Sequence, residues 1–542
     1  MRARQSCLLP TPFLVNMKVL AHLCLLIGAS NAFEFPFAIP FFSAKVPSVQ
    51  VDSPPRNVTP RIAIIGAGAG GSSSAFWISK AKERFGLDVE VDVYEQSSYI
   101  GGRSTVVYPH DDATLPHIEL GASIFVNANK NMWRASDEFN LARDDFSAED
   151  NDLGVWDGEN ILLSFAGGWW DTLKLVWRYG VLSPKRAQSI VDRMVAQFQR
   201  LYSDKTLNWD NIQDISRSFG WDELVAQTAS EYLQSKGITR KYAHEFVEAT
   251  TRVNYGQNAD FIHMLGGAVG LAATGAVGIK GGNFLVFEEF LKRSGASVHL
   301  NTTVLSITHH DSSHDWTVET TLGTKRYRGV ILAAPYHSSK IQLPSALSSQ
   351  IKPQPYVHLH VTLLTTNSST FNPAYFGLPP SSKVPGMMLT TDEKKRQGGK
   401  GPEFNSISYH GKAGENEWAV KIFSEERVSD EWLERMFPGS VTWVFRKEWD
   451  AYPELPPTDS FPPVKLDTGF YYVNAFEPLM STMETETISA RNVVDLLLNE
   501  RFGSSICGRR LSAHAEEDSD ASAQVPLSST NTDKDFVYGW DC

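Results

Sequence analysis

A short apolar run that ends at three closely spaced glycines constrains this chain more than any other feature. The run Arg61–Ile65 has the composition of a buried parallel strand, and Gly66, Gly68 and Gly71 follow it at once. A stretch of helical composition comes next, and a second apolar strand is expected at 89–94. Gly66 permits a tight turn, Gly68 lets the backbone approach a pyrophosphate, and Gly71 lets helix and strand pack closely. The pattern predicts a dinucleotide-binding βαβ unit.

Two features after the second strand narrow the choice of dinucleotide. Glu95 ends that strand, where a carboxylate can accept hydrogen bonds from ribose hydroxyls and would repel the 2′-phosphate of NADP. Gly101 and Gly102 let the chain run beside a bound cofactor, and Arg103 can pair with a phosphate. Either glycine cluster alone could be a turn without a ligand. In this order they resemble the flavin amine oxidase superfamily, which favours FAD over NAD.

Further motifs run in one order along most of the chain and resemble the prenylcysteine oxidase family, also called the prenylcysteine lyase family. They extend from about residue 60 to about residue 500, and the resemblance stops at both ends of the chain. The motifs are the segments 252–257, 281–283, 389–392, 420–424, 449–453, 471–477 and 481–484.

The resemblance implies an α/β fold, α+β overall, in which a Rossmann-type FAD-binding domain is interleaved with a substrate-binding domain of helices and a sheet. The FAD-binding domain is expected over 61–130, 275–345 and 460–510. The substrate-binding domain is expected over 131–274 and 346–459.

The resemblance also implies a reaction. Non-covalent FAD would oxidise the thioether of farnesyl- or geranylgeranyl-cysteine with O2 and water, giving cysteine, an isoprenoid aldehyde and H2O2. Such a step belongs to the degradation of prenylated proteins. Besides the residues of the two glycine motifs, Val304, Glu477 and Met483 are expected to contact the cofactor.

The substrate side has fewer constraints. Arg252, Asn254, Tyr255 and Gln257 offer polar groups for the cysteine end, and Arg252 suits its carboxylate unless it forms a structural salt bridge. Removal of a hydride requires no general base, so the catalytic residues stay unknown. Arg252, Tyr255 and His263 are the candidates, His263 for water addition or as a purely structural histidine.

An aromatic cluster offers a place for the prenyl chain. Trp169, Trp170, Trp177 and Tyr179 could line an apolar groove or could belong to an ordinary packed helix surface. Two other functions share the same N-terminal half: a flavin amine or polyamine oxidase, and a non-catalytic FAD-containing lipid-binding protein. Arg252 argues against a cationic substrate.

The N-terminus has the pattern of a targeting segment. The apolar run Val19–Ala29 is too short to span a membrane, and small residues before position 33 suit signal peptidase, which predicts a signal peptide over 1–32. An uncleaved anchor is the alternative. Residues 33–60 form a predicted linker, and no transmembrane segment is expected after cleavage. The protein is expected in the secretory pathway, in a lysosomal or vacuolar lumen or secreted, with glycosylation acceptors at Asn57, Asn301 and Asn367.

Composition argues against nucleic acid and metal ions as partners and leaves the pairing of two cysteines open. The net charge of −12, without a basic stripe, argues against nucleic acid. No metal site is expected, because the 14 histidines are scattered and we expect no cysteine or histidine pair with the spacing of metal ligands. Residues 511–542 are predicted to be a disordered polar tail. Cys507 and Cys542 could form one disulfide or remain thiols.

Overall fold

The structure is a computed structural model that describes residues 59–145, 152–166, 168–206, 208–310, 314–508 and 535–542. In chain order its strands are β1 (Arg61–Ile65), β2 (Glu90–Tyr94), β3 (Val106–Val107), β4 (Ile118–Glu119), β5 (Arg143–Asp145), β6 (Leu153–Trp156), β7 (Ile161–Phe165), β8 (Val277–Ile279), β9 (Ser297–His299), β10 (Val304–His310), β11 (Asp315–Thr320), β12 (Gly323–Tyr327), β13 (Gly329–Leu332), β14 (Tyr356–Thr366), β15 (Met387–Thr390), β16 (Ser406–Gly414), β17 (Glu417–Ser424), β18 (Val441–Pro453), β19 (Lys465–Asp467) and β20 (Phe470–Tyr472).

The α-helices of the described chain are α1 (Ala69–Phe85), α2 (Lys130–Glu138), α3 (Trp169–Tyr179), α4 (Leu182–Gln199), α5 (Ile212–Ser218), α6 (Asp222–Val225), α7 (Ala229–Ser235), α8 (Arg240–Tyr242), α9 (Glu248–Tyr255), α10 (Met264–Leu271), α11 (Phe284–Ser294), α12 (Tyr336–Ser339), α13 (Ser345–Ser348), α14 (Glu393–Arg396), α15 (Asp430–Met436) and α16 (Met483–Phe502). A π-helical turn covers Ala243–Val247, and 3-10 turns cover Pro109–Asp111, Arg200–Tyr202, Pro373–Phe376 and Val473–Phe476. None of the helices in the described ranges is long and apolar enough to cross a bilayer.

The first large sheet has six strands in the order β19-β20-β13-β1-β2-β9. Strand β1 lies between β13 and β2 and pairs with both in parallel. In such parallel sheets, packed layers cover both faces. Residues 62–65 are accordingly buried, which explains their unbroken apolar run. Because β13 and β20 come from distant parts of the chain, this sheet is assembled from three separate segments. The predicted Rossmann-type α/β fold is confirmed.

The second large sheet has seven strands in the order β18-β14-β17-β16-β15-β6-β7. Its longest pair, β14 and β18, is antiparallel, and the C-terminal end of β18 contacts the segments that carry Arg103 and Gln257. There the Ala451 carbonyl accepts a hydrogen bond from Arg103 at 3.3 Å, and the Pro453 carbonyl accepts one from Gln257 at 3.1 Å. The β14–β18 end therefore forms one wall beside the glycine motifs.

The end of the chain is tied to the body. Cys507 and Cys542 form a disulfide, with their Cα atoms 5.3 Å apart, which decides the alternative that the sequence left open. Tyr538 is buried and donates a hydrogen bond to Asp495 at 2.8 Å, and Trp540 packs against Phe76. The prediction of a disordered tail is therefore wrong for residues 535–542, because aromatic burial and the disulfide hold them. The rest of that predicted tail lies outside the described residues.

Two of the three predicted glycosylation acceptors lie within the described residues. Asn301 and Asn367 both have exposed side chains, as a surface acceptor requires. Asn57, the predicted signal peptide over 1–32 and most of the predicted linker lie outside the described residues. Glycosylation itself stays a prediction.

Candidate active site

In the glycine loop between β1 and α1, some glycines are required by the fold itself and one leaves open space. Gly66 has a φ of +106° and donates its N–H to the Tyr94 carbonyl at 2.8 Å. A Cβ on Gly71 would lie 1.8 Å from the Gly66 carbonyl oxygen, so the fold itself excludes a side chain there. A Cβ on Gly68 would meet nothing closer than 3.8 Å. The protein's own packing thus leaves space above Gly68, at the N-terminus of α1.

The acid at the end of β2 lies against this loop. Glu95 is buried and accepts a 2.8 Å hydrogen bond from the Ala67 N–H, inside the glycine motif. Its other oxygen accepts hydrogen bonds from the N–H and hydroxyl of Ser97 at 2.8 and 2.7 Å. A carboxylate has about four acceptor positions, so capacity remains for ribose hydroxyls. The structure places Glu95 where the sequence predicts it.

The predicted neighbours of the loop also converge on it. Gly101 forms a β-bridge with Gly68, and a Cβ on Gly102 would lie 3.2 Å from the Gly68 Cα. The Thr302 N–H donates to the Glu95 carbonyl at 2.8 Å, which brings Val304 to the same edge. Contact of Val304 with adenine remains a prediction, as does every ligand contact at this site.

Arg103 reaches across from the second glycine pair to a carboxylate near the end of the chain. Its guanidinium pairs with Glu477 and lies over the Tyr356 ring, 5.7 Å from the centroid. Glu477 also accepts a hydrogen bond from the Tyr356 hydroxyl. Burial alone would lower the pKa of Arg103, but the Glu477 carboxylate outweighs it and raises the pKa. Arg103 is therefore a fixed cation beside the loop.

The last helix brings a second buried acid to the same place. Helix α16 begins at Met483, after a Thr482 side chain that accepts the Thr485 N–H. One turn on, Glu486 Oε2 lies 3.0 Å from the position of a Cβ on Gly70. Burial and the nearby Glu477 charge raise the pKa of Glu486 well above its usual range. Sequence reasoning missed Glu486, because nothing local distinguishes it from an exposed helical glutamate.

These residues fit a bound FAD. Gly68 leaves space for a close backbone approach, and the unpaired N–H groups of α1 suit a pyrophosphate. Glu486 Oε1 is buried without a hydrogen-bond partner, although a buried polar atom normally has one. A flavin cofactor supplies hydroxyl and N–H donors to such an atom. The donor set and the cradle are therefore consistent with the predicted cofactor.

Arg252 is not free to meet a substrate. It is buried and donates hydrogen bonds to Thr390, Asn258 and Asn405 at 2.7–2.9 Å. It also lies 3.2 Å from Asp392. This network favours the structural salt bridge over carboxylate binding, which stays an untested prediction.

The other predicted substrate residues divide into two groups. Gln257 and Asn254 hydrogen-bond backbone atoms: Gln257 Oε1 accepts the Leu455 N–H at 2.8 Å, and Asn254 donates to the Thr250 carbonyl at 2.8 Å. Tyr255 differs, because its hydroxyl reaches the Ser481 carbonyl at 3.3 Å, two residues before α16. Of the four, Tyr255 is therefore the one that the structure connects to the predicted cofactor segment.

His263 is occupied as a helix cap. Its Nδ1 accepts the Gly266 N–H at 3.0 Å, and its Nε2 lies 3.2 Å from the Pro478 carbonyl. Burial lowers the pKa of His263 to about 4. Both ring nitrogens are used, so the geometry favours the structural alternative over water activation.

A buried lysine near the loop was not predicted. Lys421 donates to the Ser123 hydroxyl at 2.8 Å and to the Glu119 carbonyl at 3.0 Å. Glu119 in turn accepts the Asn283 N–H at 2.7 Å. Burial lowers the pKa of Lys421 to about 8, against the opposing effect of Glu119, and burial raises the pKa of Glu119 to about 7. The available signal was a lysine inside the apolar motif 420–424.

One histidine pair also escaped the sequence argument. His358 and His360 stand two residues apart on β14, and their ligand atoms lie within 4.8 Å of a Glu448 carboxylate oxygen across the sheet. The statement that no histidine pair has ligand spacing is therefore wrong. His358 and Glu448 are more than half exposed, as in ordinary surface ion pairs. The cluster carries no site assignment.

Known proteins resemble this chain over most of its length. The prenylcysteine lyase family model matches residues 166–506, and an NAD(P)-binding Rossmann-like domain model matches residues 64–139. Farnesylcysteine lyase from Arabidopsis thaliana is 29% identical over 86% of this chain and 92% of its own. Prenylcysteine oxidase 1 from Homo sapiens is 27% identical over 80% of this chain and 87% of its own.

Solved structures resemble the fold at low identity. Cyclohexylamine oxidase from Brevibacterium oxydans aligns over 82% of this chain and 99% of its own, with a TM-score of 0.54 and 14% identity. A putrescine oxidase bound to putrescine aligns over 81% of this chain and 99% of its own, with a TM-score of 0.53 and 14% identity. These likenesses show the fold alone. The family model covers well over half of the chain, and the chain belongs to the prenylcysteine lyase family.

Proposed function

We propose that this protein is an FAD-dependent thioether oxidase that cleaves prenylcysteine. One prenylcysteine, one O2 and one water give cysteine, an isoprenoid aldehyde and H2O2. The observation that carries the proposal is the single cradle formed by the two glycine motifs, Glu95, the Arg103–Glu477 pair and the start of α16. Membership of a family with relatives named farnesylcysteine lyase and prenylcysteine oxidase supports the substrate class.

The division of work follows from the residues present. Bound FAD supplies the two-electron acceptor for the carbon next to sulfur and passes the electrons to O2. The chain orients the cofactor non-covalently through the loop at Gly68 and the carboxylate of Glu95. Arg103, which is held in place by Glu477, offers a guanidinium beside the second glycine motif. A dinucleotide held at these points is fixed along its length.

Tyrosines form the wall that faces the start of α16. Tyr255 is buried and Tyr452 is half-buried, with ring centroids 6.0 Å apart and an edge-on arrangement. Burial raises the pKa of Tyr452 to about 12, so it stays a neutral phenol at any physiological pH. Aromatic rings with polar tips suit a substrate that has an apolar chain and a polar end. The proposed role of these rings is to contact the prenyl thioether.

The Lys421 cluster provides a buried, titratable amine beside the segment that follows Arg103. It joins Glu119 and Ser123, which follow the Arg103 segment, to the asparagine of the 281–283 motif. With its pKa near 8, Lys421 can hold or release a proton in the neutral range.

A reduction assay tests the function. The FAD-loaded protein should bleach anaerobically with S-farnesylcysteine and should release one H2O2 per thioether when O2 is admitted. Gly68→Asp, which places a carboxylate at the cradle, is the cofactor-free control. Bleaching with polyamines instead would establish the amine oxidase alternative. A yellow protein that neither substrate bleaches would establish the non-catalytic lipid-binding alternative.

We propose a lumenal or secreted location for the mature protein. The predicted signal peptide motivates this location, and the Cys507–Cys542 disulfide supports an oxidising compartment. Imaging of the full chain with a C-terminal tag, together with lysosomal or vacuolar markers and assay of the medium, tests it. A cytosolic distribution would contradict the proposal.

A further inference from the structure

Helix α3 presents its apolar side to solvent. Trp169, Trp170 and Trp177 are 62%, 57% and 88% exposed, and Leu173 is 49% exposed. At 100° per residue these four side chains fall on one face of the helix. Val181 and Leu182 continue the exposed surface into α4. We call these six residues the tryptophan patch: Trp169, Trp170, Leu173, Trp177, Val181 and Leu182.

The opposite face of α3 is fixed to the protein through polar groups. Asp171 is buried and accepts the Ala166 N–H at 2.7 Å. Arg178 and Tyr179 both donate to Glu245, at 2.9 Å for the Arg178 Nη2 and for the Tyr179 hydroxyl. A surface helix ordinarily buries its apolar face and exposes its polar one. Here Leu175 and Tyr179 are buried on the inward face beside these polar contacts, and the outward face is apolar as well.

The patch is larger than isolated surface residues explain. With side-chain areas of roughly 200 Å² each, the three indoles alone expose on the order of 400 Å². Soluble monomers rarely show a contiguous apolar patch beyond a few hundred Å² unless it binds something. The sequence-based alternative of an ordinary packed helix surface is therefore wrong for these three tryptophans, and the prenyl groove stays a prediction.

The composition around the patch favours a lipid surface as its partner. Indole rings concentrate at the interface between headgroups and acyl chains, where an apolar ring with one N–H is most stable. Residues 168–190 contain four basic side chains and one acidic side chain, which is the buried Asp171. Lys174 pairs with Asp171 and Arg178 pairs with Glu245, so the net positive charge beside the patch comes from Lys185 and Arg186, which are both exposed.

We propose that the tryptophan patch docks the protein on the surface of an anionic phospholipid bilayer, with α3 in the plane of the interface. The indoles and Leu173 enter the headgroup region, and the neighbouring cations meet lipid phosphates and carboxylates. The docking does not depend on the identity of the substrate. It is compatible with the proposed function, because a prenylated thioether partitions into membranes.

Vesicle sedimentation with the FAD-loaded full chain tests the docking. Wild type should bind vesicles of phosphatidylcholine with phosphatidylserine more tightly than vesicles of phosphatidylcholine alone. Trp169→Ser, Trp170→Ser and Trp177→Ser combined should weaken binding at least about 10-fold. Brominated phosphatidylcholine should quench a fraction of the wild-type tryptophan emission that the triple variant lacks.

Two further variants separate the lipid from other causes. Lys185→Glu should reduce binding to the anionic vesicles about five-fold or more and leave the neutral ones nearly unchanged. Leu305→Ser with Leu322→Ser removes two exposed apolar side chains elsewhere and should bind as wild type does. Because the tryptophans are exposed, FAD content and thermal unfolding of the triple variant should match wild type.

Three results would overturn the docking. The first is no vesicle binding by wild type, and the second is equal binding by wild type and the triple variant. The third is a wild-type dimer in solution that the triple variant disperses, without vesicle binding, which would assign the patch to a second copy of this chain. Flavin bleaching is not part of these measurements, so failure of the proposed reaction would leave them unaffected.

Discussion

Arg103 and Glu477 form a partly buried ion pair that joins the second glycine motif to the segment before the last helix, 374 residues further along the chain. The Glu477 side chain is almost fully enclosed and also accepts the Tyr356 hydroxyl. The pair therefore connects the segment after β2 and the segment before α16 to strand β14 of the other sheet. Loss of this ion pair should therefore change the stability of the apoprotein and its response to FAD.

Glu477→Gln is expected to destabilise the apoprotein by about 3 kcal/mol, because it leaves Arg103 buried without its counter-charge. Bound FAD carries phosphate charge and should offset part of that loss. Urea unfolding with and without FAD measures both effects. Asp430→Asn, which breaks the exposed pair with Arg446, should cost no more than about 1 kcal/mol. Equal losses for the two variants would contradict the assigned burial of the pair.

Gly68→Ala and Gly71→Ala should fail in different ways. The alanine Cβ at position 68 has no protein atom within 3.4 Å, so this variant should fold with near wild-type stability and bind FAD at least about 10-fold more weakly. At position 71 the Cβ would overlap the Gly66 carbonyl, so thermal unfolding of the apoprotein should occur at a lower temperature. FAD titration and apoprotein calorimetry separate the two. Tight FAD binding by Gly68→Ala would contradict the proposal that FAD lies against Gly68.

The glycine loop could be predicted from the sequence because its determinants are local. Gly66, Gly68 and Gly71 lie between a strand and a helix that their own composition specifies, and Glu95 ends the next strand. Arg252 shows where this reasoning stops. Its partners Thr390 and Asn405 lie 138 and 153 residues away, so no local pattern distinguishes a structural arginine from a substrate-binding one.

Helix α3 shows a second limit. Periodicity places Trp169, Leu173 and Trp177 on one face, but it cannot say whether that face is turned inward or outward. The orientation is decided by Glu245, which holds Arg178 and Tyr179 from a distant π-helical turn. Lys421 likewise became recognisable only when the fold placed Glu119 and Ser123 beside it.

The disulfide should contribute to stability through the unfolded chain. Cys507 and Cys542 are 35 residues apart, a separation for which loop closure predicts about 3–4 kcal/mol. Cys542→Ser should therefore lower the free energy of unfolding by roughly that amount and release Trp540, whose emission should shift to the red. Cys507→Ser combined with Cys542→Ser should be no worse than either single change. A double variant that is much less stable than both would show that the thiols act separately.

His263 is expected to make the stability of the protein sensitive to acid. The folded state holds its pKa at about 4, below the unfolded value of about 6.5, so the unfolded chain binds the proton more readily. The stability from this group is complete above about pH 6.5 and is lost as the pH falls towards 4, by on the order of 3 kcal/mol. A lysosomal lumen lies within that window.

His263→Asn should remove most of that acid sensitivity. Asparagine can cap α10 by accepting the Gly266 N–H, so stability near pH 7 should change by less than about 1 kcal/mol. Urea unfolding at several pH values between 4 and 7 gives the comparison, with the exposed His309→Asn as a matched control. The FAD-loaded variant should still form peroxide from S-farnesylcysteine at the wild-type rate. A variant of normal stability that is reduced by substrate but releases no aldehyde would instead assign His263 to the addition of water, because hydride removal would then proceed without the following step.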